Sequence, residues 1–524
     1  MFQLSTTDGF IPSTVYGLCF FRERAGLMRL RARFVVNLAL ILVFTAFGFA
    51  VMGYHPGTED DALYLSAIKS DLNPALYPHD AKFFRIQLEA TYFDRAVAWS
   101  AHATGASVAT TALVWQFGAL ALTLFACLSI AEKLFPEQRA QWGGVALVAA
   151  MFTLPVAGTA LFLADPHLHP RNVATALILL AVSRILKEKR WQAAPLLLVS
   201  VLIHPIMAAM GISFCFFLSM AQSDSVQEWL RSLFVARPAA SMAAFVPLGW
   251  IFEPATPIWM KAVQSRSYCY LYQWTWYEWL GALAPIFLFW LLWQIARKQK
   301  EDTLARFALA VFAYSVFQQG LAMVMLGFPQ LVRLMPLQPM RYLHLVYYFL
   351  MLIAGCLLGK YLLRTKAWRW ALFLLAVNGA MLTAQRSQFS GSEQLEMPGR
   401  SSANPWLQAF AWIRANTPTD AYFAMDPRYL AAQGEDYHAF RALAERSQLA
   451  DAIKDTAVVM QVPELGPAWD RQLAAQRGWK NFQIADFERL KTEFGVNWVL
   501  VSNPPPAGLD CQWHNDTLAV CKIP

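Results

Sequence analysis

The sequence predicts a polytopic α-helical membrane protein of about eleven transmembrane helices with a small C-terminal extracytoplasmic domain of α/β or α+β type. Three observations predict it. The chain is 57% hydrophobic and 15% charged, with mean hydropathy +0.36 over 524 residues, too apolar for a soluble protein of this size. Apolar runs recur from Phe34 to residue 385; beyond that they shorten and charge density rises. The 20 Trp, 17 Tyr and 37 Phe fit the aromatic belts of membrane interfaces. The formal charge of +8 needs no nucleic acid, because Lys and Arg gathered in cytoplasmic loops account for it.

Residues 1–33 read as a cytoplasmic N-terminal segment, with 1–27 weakly structured by pattern. Met28 to Arg33 has the look of a natural start, which makes the upstream part an appendage. Arg22, Arg24, Arg29, Arg31 and Arg33 precede the apolar run Phe34 to Met52, the charge pattern of an uncleaved signal-anchor with its N-terminus inside. Further spans are expected at 106–131, 142–163, 171–186, 192–205, 206–221, 239–252, 277–296, 306–328, 341–360 and 369–385. The whole bundle covers 34–385. Several spans fall short of the roughly 20 residues that cross a bilayer upright, which is tolerable inside a bundle or beside a cavity.

Charge bias decides whether 192–221 is one helix or two. A turn at His204-Pro205 puts the loops 132–141, 187–191, 222–238, 297–306 and 360–369 on the cytoplasmic side, with 15 Lys and Arg. The short opposite-side loops then hold five: Arg171, Lys261, Arg266, Arg333 and Arg341. A single helix would put Arg297-Lys298-Gln299-Lys300 outside, against the positive-inside rule. Two passes are therefore expected, with the C-terminus outside.

That topology exposes three features on the outer face. The first is the loop 53–105, which carries Glu59-Asp60-Asp61 and two expected helices, about 60–71 and 81–103; Leu63, Tyr64 and Ala67 form a stripe suited to the interface plane. The second is Asp165-Pro166-His167-Leu168-His169-Pro170-Arg171-Asn172, joined by His204-Pro205. The third is the domain 386–524, with a helix at 405–415, strands at 421–424 and 496–501, and a helical piece at 490–494. Of seven scattered cysteines, Cys511 and Cys521 either bridge or stay as two free thiols; no C-x-x-C occurs.

Three adjacent acids repel one another, and a partly desolvated loop raises the pKa of a carboxylate among them, which makes it a better base. The plainer reading is that they cap the helix starting near Ala62. Asp165, His167 and His169 lack the one-face spacing of a zinc hydrolase, while carboxylates suit Mg²⁺ or Mn²⁺, so an ion shared with the acidic triplet stays open. The aromatic run Tyr268 to Trp279 reads as an interface belt, with stacking on sugar faces as the rival.

An acidic pair just after the first span, an interfacial helix, a many-span bundle and an outer C-terminal domain together resemble the GT-C glycosyltransferases. Trp412-Ile413-Arg414-Ala415-Asn416-Thr417-Pro418-Thr419-Asp420-Ala421 is similar to the stretch that follows the last span in that superfamily. Phe440-Arg441 to Glu445-Arg446-Ser447 and Gly495-Val496-Asn497-Trp498-Val499 look like later pieces of the same domain. The resemblance implies a bacterial inner-membrane enzyme with a periplasmic C-terminal domain, using a polyprenyl-phosphate-linked sugar and a lipid, glycan or protein acceptor. It implies Asp60 or Asp61 as the base, with Glu59 positioning the acceptor or an ion. The leaving phosphate would be met by Arg171, Arg333 and Arg341 with His167, His169 and His204, because Arg presents a fork to phosphate oxygens; the plain alternative is snorkelling Arg and helix-end His. A transporter or flippase, or a non-catalytic lipid-binding relative, is the rival; the spans hold few central charges, which favours surface chemistry.

Overall fold

The computed structural model describes residues 13–224, 255–431 and 438–524. Among these, seven helices are long and apolar enough to cross a membrane: Ala32–Met52, Val108–Leu134, Pro205–Gln222, Trp276–Lys298, Asp302–Gly327, Pro339–Leu363 and Ala367–Gln388. The shorter helices Gln138–Ala150, Pro170–Leu186 and Arg190–Ile203 pack among them. The expected span 239–252 lies outside the described residues. The stretch 13–27 is not weakly structured, because one helix runs unbroken from Ser13 to Met52.

The turn at His204-Pro205 is present. Helix Arg190–Ile203 ends there, and Pro205–Gln222 returns beside Pro170–Leu186, where a Cβ on Gly211 would meet the Ile178 side chain. The expected span 142–163 is helical only to Ala150. Pro155 and the left-handed Gly158 (φ +58°) turn the rest into a small hairpin, β1 Pro155–Val156 against β2 Leu161–Phe162. Apolar residues serve here as the wall of a cavity.

Helices Gln138–Ala150 and Tyr342–Leu357 cross at Gly143 and Gly355, where a Cβ on either glycine would strike the other's carbonyl oxygen. Gly355→Leu is expected to cost about 1–3 kcal/mol or more through forced separation, read as a lower melting temperature in detergent. Gly379→Leu, on a face with nothing within 4 Å, is the control that stays unchanged.

The C-terminal domain is built on a five-stranded sheet in the order β4-β3-β5-β7-β6, with β3 Tyr422–Ala424, β4 Ser447–Gln448, β5 Trp498–Ser502, β6 Asp510–His514 and β7 Leu518–Lys522. β4, β3 and β5 are parallel; β5, β7 and β6 are antiparallel. Alternation sends Phe423, Trp498, Leu500 and Val520 toward helix Pro405–Asn416, and Tyr422, Val499, Val501 and Ala519 toward helix Ile484–Phe494. Cys511 and Cys521 face each other across β6 and β7 and are bonded.

Loop 53–105 lies between bundle and domain. The stripe of its helix Asp61–Leu72 is covered by protein: Ala62 and Leu65 join the domain core with Phe410 and Phe440, while Ile68 packs with Phe93, Val97 and Leu168. The expected helix 81–103 is broken into Ala81–Phe83, Arg85–Ala90 and Phe93–Thr104. At the second break the Tyr92 N–H donates to the Leu202 carbonyl, 2.9 Å away, which ties the loop to the bundle.

Candidate active site

The turn before helix Asp61–Leu72 separates the three acids. Gly57 and Glu59 both adopt positive φ, +86° and +49°, which rolls successive side chains in different directions. Asp61 points inward, is 4% exposed, and accepts from the Gly57 N–H at 2.8 Å, closing the turn. Burial pushes its pKa up, with His167 and the Gly57 N–H opposing. Asp60 sits at the N-cap, but its side chain makes no capping hydrogen bond. The capping explanation therefore does not apply to it.

Asp60 is instead held from both sides. Lys454 Nζ of the C-terminal domain lies 3.1 Å from Oδ1, and His169 Nε2 lies 3.4 Å from Oδ2. The proton on His169 can be placed. Its Nδ1 accepts the Arg171 backbone N–H at 2.9 Å, so Nε2 carries the hydrogen and donates it to Asp60. Burial and the Arg171 guanidinium push the His169 pKa down to about 4, which keeps the ring neutral. For Asp60 itself, burial favours the acid, yet Lys454 and His169 outweigh it and hold the carboxyl well below its usual range. The expectation that crowding lifts the pKa is met at Asp61 and reversed at Asp60.

The segment from Asp165 to Asn172 is a rigid floor. Arg171 Nε and Nη2 donate to Asp165 at 3.2 and 2.5 Å. Asn172 Nδ2 donates to Gln116 Oε1 at 3.0 Å, and Gln116 Nε2 to the Asp165 carbonyl at 2.7 Å. His167 Nδ1 lies 3.4 Å from Thr58 Oγ1. Thus Arg171, expected on a phosphate, is a buried partner of Asp165 and lines neither cavity beside Asp60.

Those cavities measure about 850 and 230 Å³ and share Asp60, Gln338 and Arg341. The larger is walled by the β1–β2 hairpin and also receives Glu59, Arg266 and Lys454. The smaller reaches His204. Arg341 and Arg266 each bury an Nε that finds no hydrogen-bond partner among the described residues, and both line the cavity that holds Asp60. Arg333 stacks on Trp259 at 5.4 Å, away from both spaces. The aromatic run divides: Tyr268, Trp274 and Tyr277 line the larger cavity, while Tyr272 and Trp276 stand 79% and 77% exposed as belt residues would.

Sequence reasoning missed Lys454 and Arg266 as site groups. Lys454 is 394 residues from Asp60, and no local pattern marks it. An Mg²⁺ or Mn²⁺ at the triplet fits poorly. Asp61 is turned inward, one oxygen of Asp60 meets an ammonium, and the other meets an N–H that cannot ligate a metal.

The fold and this cavity define a polytopic membrane protein whose bundle, first loop and C-terminal domain close together on one carboxylate. No family model matches the chain, and no curated protein does. Among solved structures it is similar to the archaeal oligosaccharyltransferase AglB from Archaeoglobus fulgidus, solved with an inhibitory peptide and a dolichol-phosphate. The TM-score is 0.41 at 12% identity, covering 89% of this chain and 69% of that one.

Proposed function

We propose that the chain is a GT-C-like membrane glycosyltransferase that moves a sugar from a polyprenyl-phosphate donor to a lipid, glycan or protein acceptor at the extracytoplasmic face. The observation that carries this reading is Asp60: an anion released from capping and set among Lys454, Arg341 and Arg266 in a space of about 850 Å³. The acceptor hydroxyl oxygen attacks the anomeric carbon, and the bond from that carbon to the phosphate oxygen breaks. The electron pair leaves on the phosphate, and the hydroxyl proton goes to Asp60. Arg341 and Arg266 meet the phosphate. Lys454 is shared: as the phosphate draws it away, Asp60 loses the charge that suppresses its basicity. Tyr268 and Trp274 offer faces for the sugar. The Lys and Arg excess on the far-side loops and the Cys511–Cys521 bond support an outward-facing domain in an oxidising compartment such as the periplasm.

The test is release of radiolabelled sugar from a panel of polyprenyl-phosphate sugars by membranes containing the chain. Donor-dependent turnover is expected, and adding Mg²⁺ or Mn²⁺ leaves its rate unchanged because Lys454 already neutralises Asp60. A chain that neither consumes nor photo-crosslinks any donor of the panel would sink the reading.

A further inference from the structure

Away from the cavity, three remote segments bring together His55, Glu396 and His438. His55 follows the first span, Glu396 lies in the linker to the C-terminal domain, and His438 lies in that domain. Their side chains are 0%, 7% and 1% exposed. His55 Nδ1 lies 3.2 Å from Glu396 Oε1, and His438 Nε2 lies 2.7 Å from Oε2; the three ligand atoms fall within 4.8 Å of one another. We propose that this triad is a zinc site that bridges the C-terminal domain and the first loop.

The donor set is the first reason. Two imidazoles and one carboxylate form a borderline N₂O set that suits Zn²⁺, with a fourth position left for water. Ligand atoms about 2.0–2.2 Å from a tetrahedral ion sit roughly 3.3 Å apart. The three ligand atoms lie within 4.8 Å of one another, so the side chains have only to draw in by about an ångström or less at the widest pair, helped by a short turn of the carboxylate.

Charge is the second. The Glu396 side chain is 7% exposed, its two carboxylate oxygens meet only the two imidazoles, and among the described residues no Lys or Arg is bonded to it. A cation must balance it, and the candidates are a proton on one ring or a metal bound between them.

Preorganisation is the third. The Glu396 N–H donates to the Tyr54 carbonyl at 2.9 Å, the Tyr54 N–H to the Gln394 carbonyl at 3.0 Å, and the Ala439 N–H to the Gly57 carbonyl at 2.7 Å. The His55 ring stacks on Phe389 at 3.9 Å. Each ligand is thus fixed by backbone bonds within two residues of it, which lowers the ordering cost of binding an ion. Glu396 and Pro56 also line a separate open cavity of about 1130 Å³, which gives an ion a route in.

The proposal is independent of sugar transfer. The full chain, purified in detergent without chelator, is assayed by elemental analysis, then stripped and titrated with Zn²⁺ or Co²⁺. Expected are about one zinc per chain, visible Co²⁺ bands of a tetrahedral N/O site, and a Zn²⁺-dependent rise in melting temperature. His438→Gln abolishes all three while the stripped variant melts like the stripped wild type. Wild-type protein that holds no zinc and shows neither Co²⁺ bands nor a melting shift overturns the site and leaves a proton-bridged His–Glu–His contact. Binding that survives in His438→Gln overturns it as well, because the ion then sits elsewhere.

Discussion

Asp60→Asn is expected to lower sugar transfer by about 10²–10⁴-fold at unchanged expression, the range for loss of a positioned general base. Asp61→Asn is expected to stay near the wild type. An amide oxygen can still accept the Gly57 N–H, and burial already favours the neutral form at that position. The two neighbours in sequence are therefore separated by geometry. The pH profile adds a second readout. The Lys454 ammonium and His169 hold Asp60 ionised to low pH, so the acid limb of the rate lies below the usual carboxylate range. In Lys454→Met the largest surviving influence is burial, which favours the acid, so the limb moves to higher pH. The quantity to measure is kcat/KM against pH, which reports the free enzyme in which Lys454 faces Asp60, for the wild type and the three variants. Equal loss in both Asn variants would assign the effect to the turn, and full activity in Asp60→Asn would end its role as base.

How much of this was legible depended on whether local sequence carried the cause. The turn at His204-Pro205 was, because Arg297 to Lys300 can face only one side. The helix Pro405–Asn416 and the strand Trp498–Ser502 were as well, since their apolar spacing reports burial directly. Met151 to Phe162 was misread because a cavity wall and a membrane span are equally apolar. Helix Asp61–Leu72 was misread for a related reason: its stripe announces a buried face but does not distinguish lipid from a covering domain. At the site, Glu59, Asp60, Asp61, His169, His204 and Arg341 were singled out from loop position, side-chain chemistry and the family resemblance. Their different surroundings were not legible, because these rest on a left-handed Glu59 and on Lys454, brought in from a domain hundreds of residues later. Arg171 looked like an anion receptor only while Asp165 was six residues away in sequence; in space it is 2.5 Å away.

Arg441 is expected to be the most sensitive position for stability. Its guanidinium reaches both oxygens of Asp455, at 2.7 and 2.9 Å, and donates from Nε to Asp80 at 2.5 Å. All three residues are at most 1% exposed. Asp80 belongs to the loop 53–105, so the cluster joins loop to domain, and the Arg441 carbonyl accepts a further bond from the Tyr77 hydroxyl at 2.9 Å. Arg441→Met leaves two buried carboxylates without a counter-charge, a change worth about 3–5 kcal/mol. Arg441→Lys recovers only part, because one ammonium cannot replace a planar fork. The sign with pH follows from the carboxylates. Burial raises the Asp80 pKa even with Arg441 opposing it, and loss of the guanidinium raises it further, so the penalty is full at neutral pH. It fades as pH falls through the folded values, and it is gone below the unfolded value near 3.9. Domain protection from protease across a pH series reads this directly, and a variant as resistant as the wild type at pH 7 would refute it. Lys454 immediately precedes Asp455, so freeing Asp455 also loosens the ammonium facing Asp60. Transfer activity should therefore fall in Arg441→Met with every cavity residue intact, and it should recover with Arg441→Lys in proportion to the protection regained.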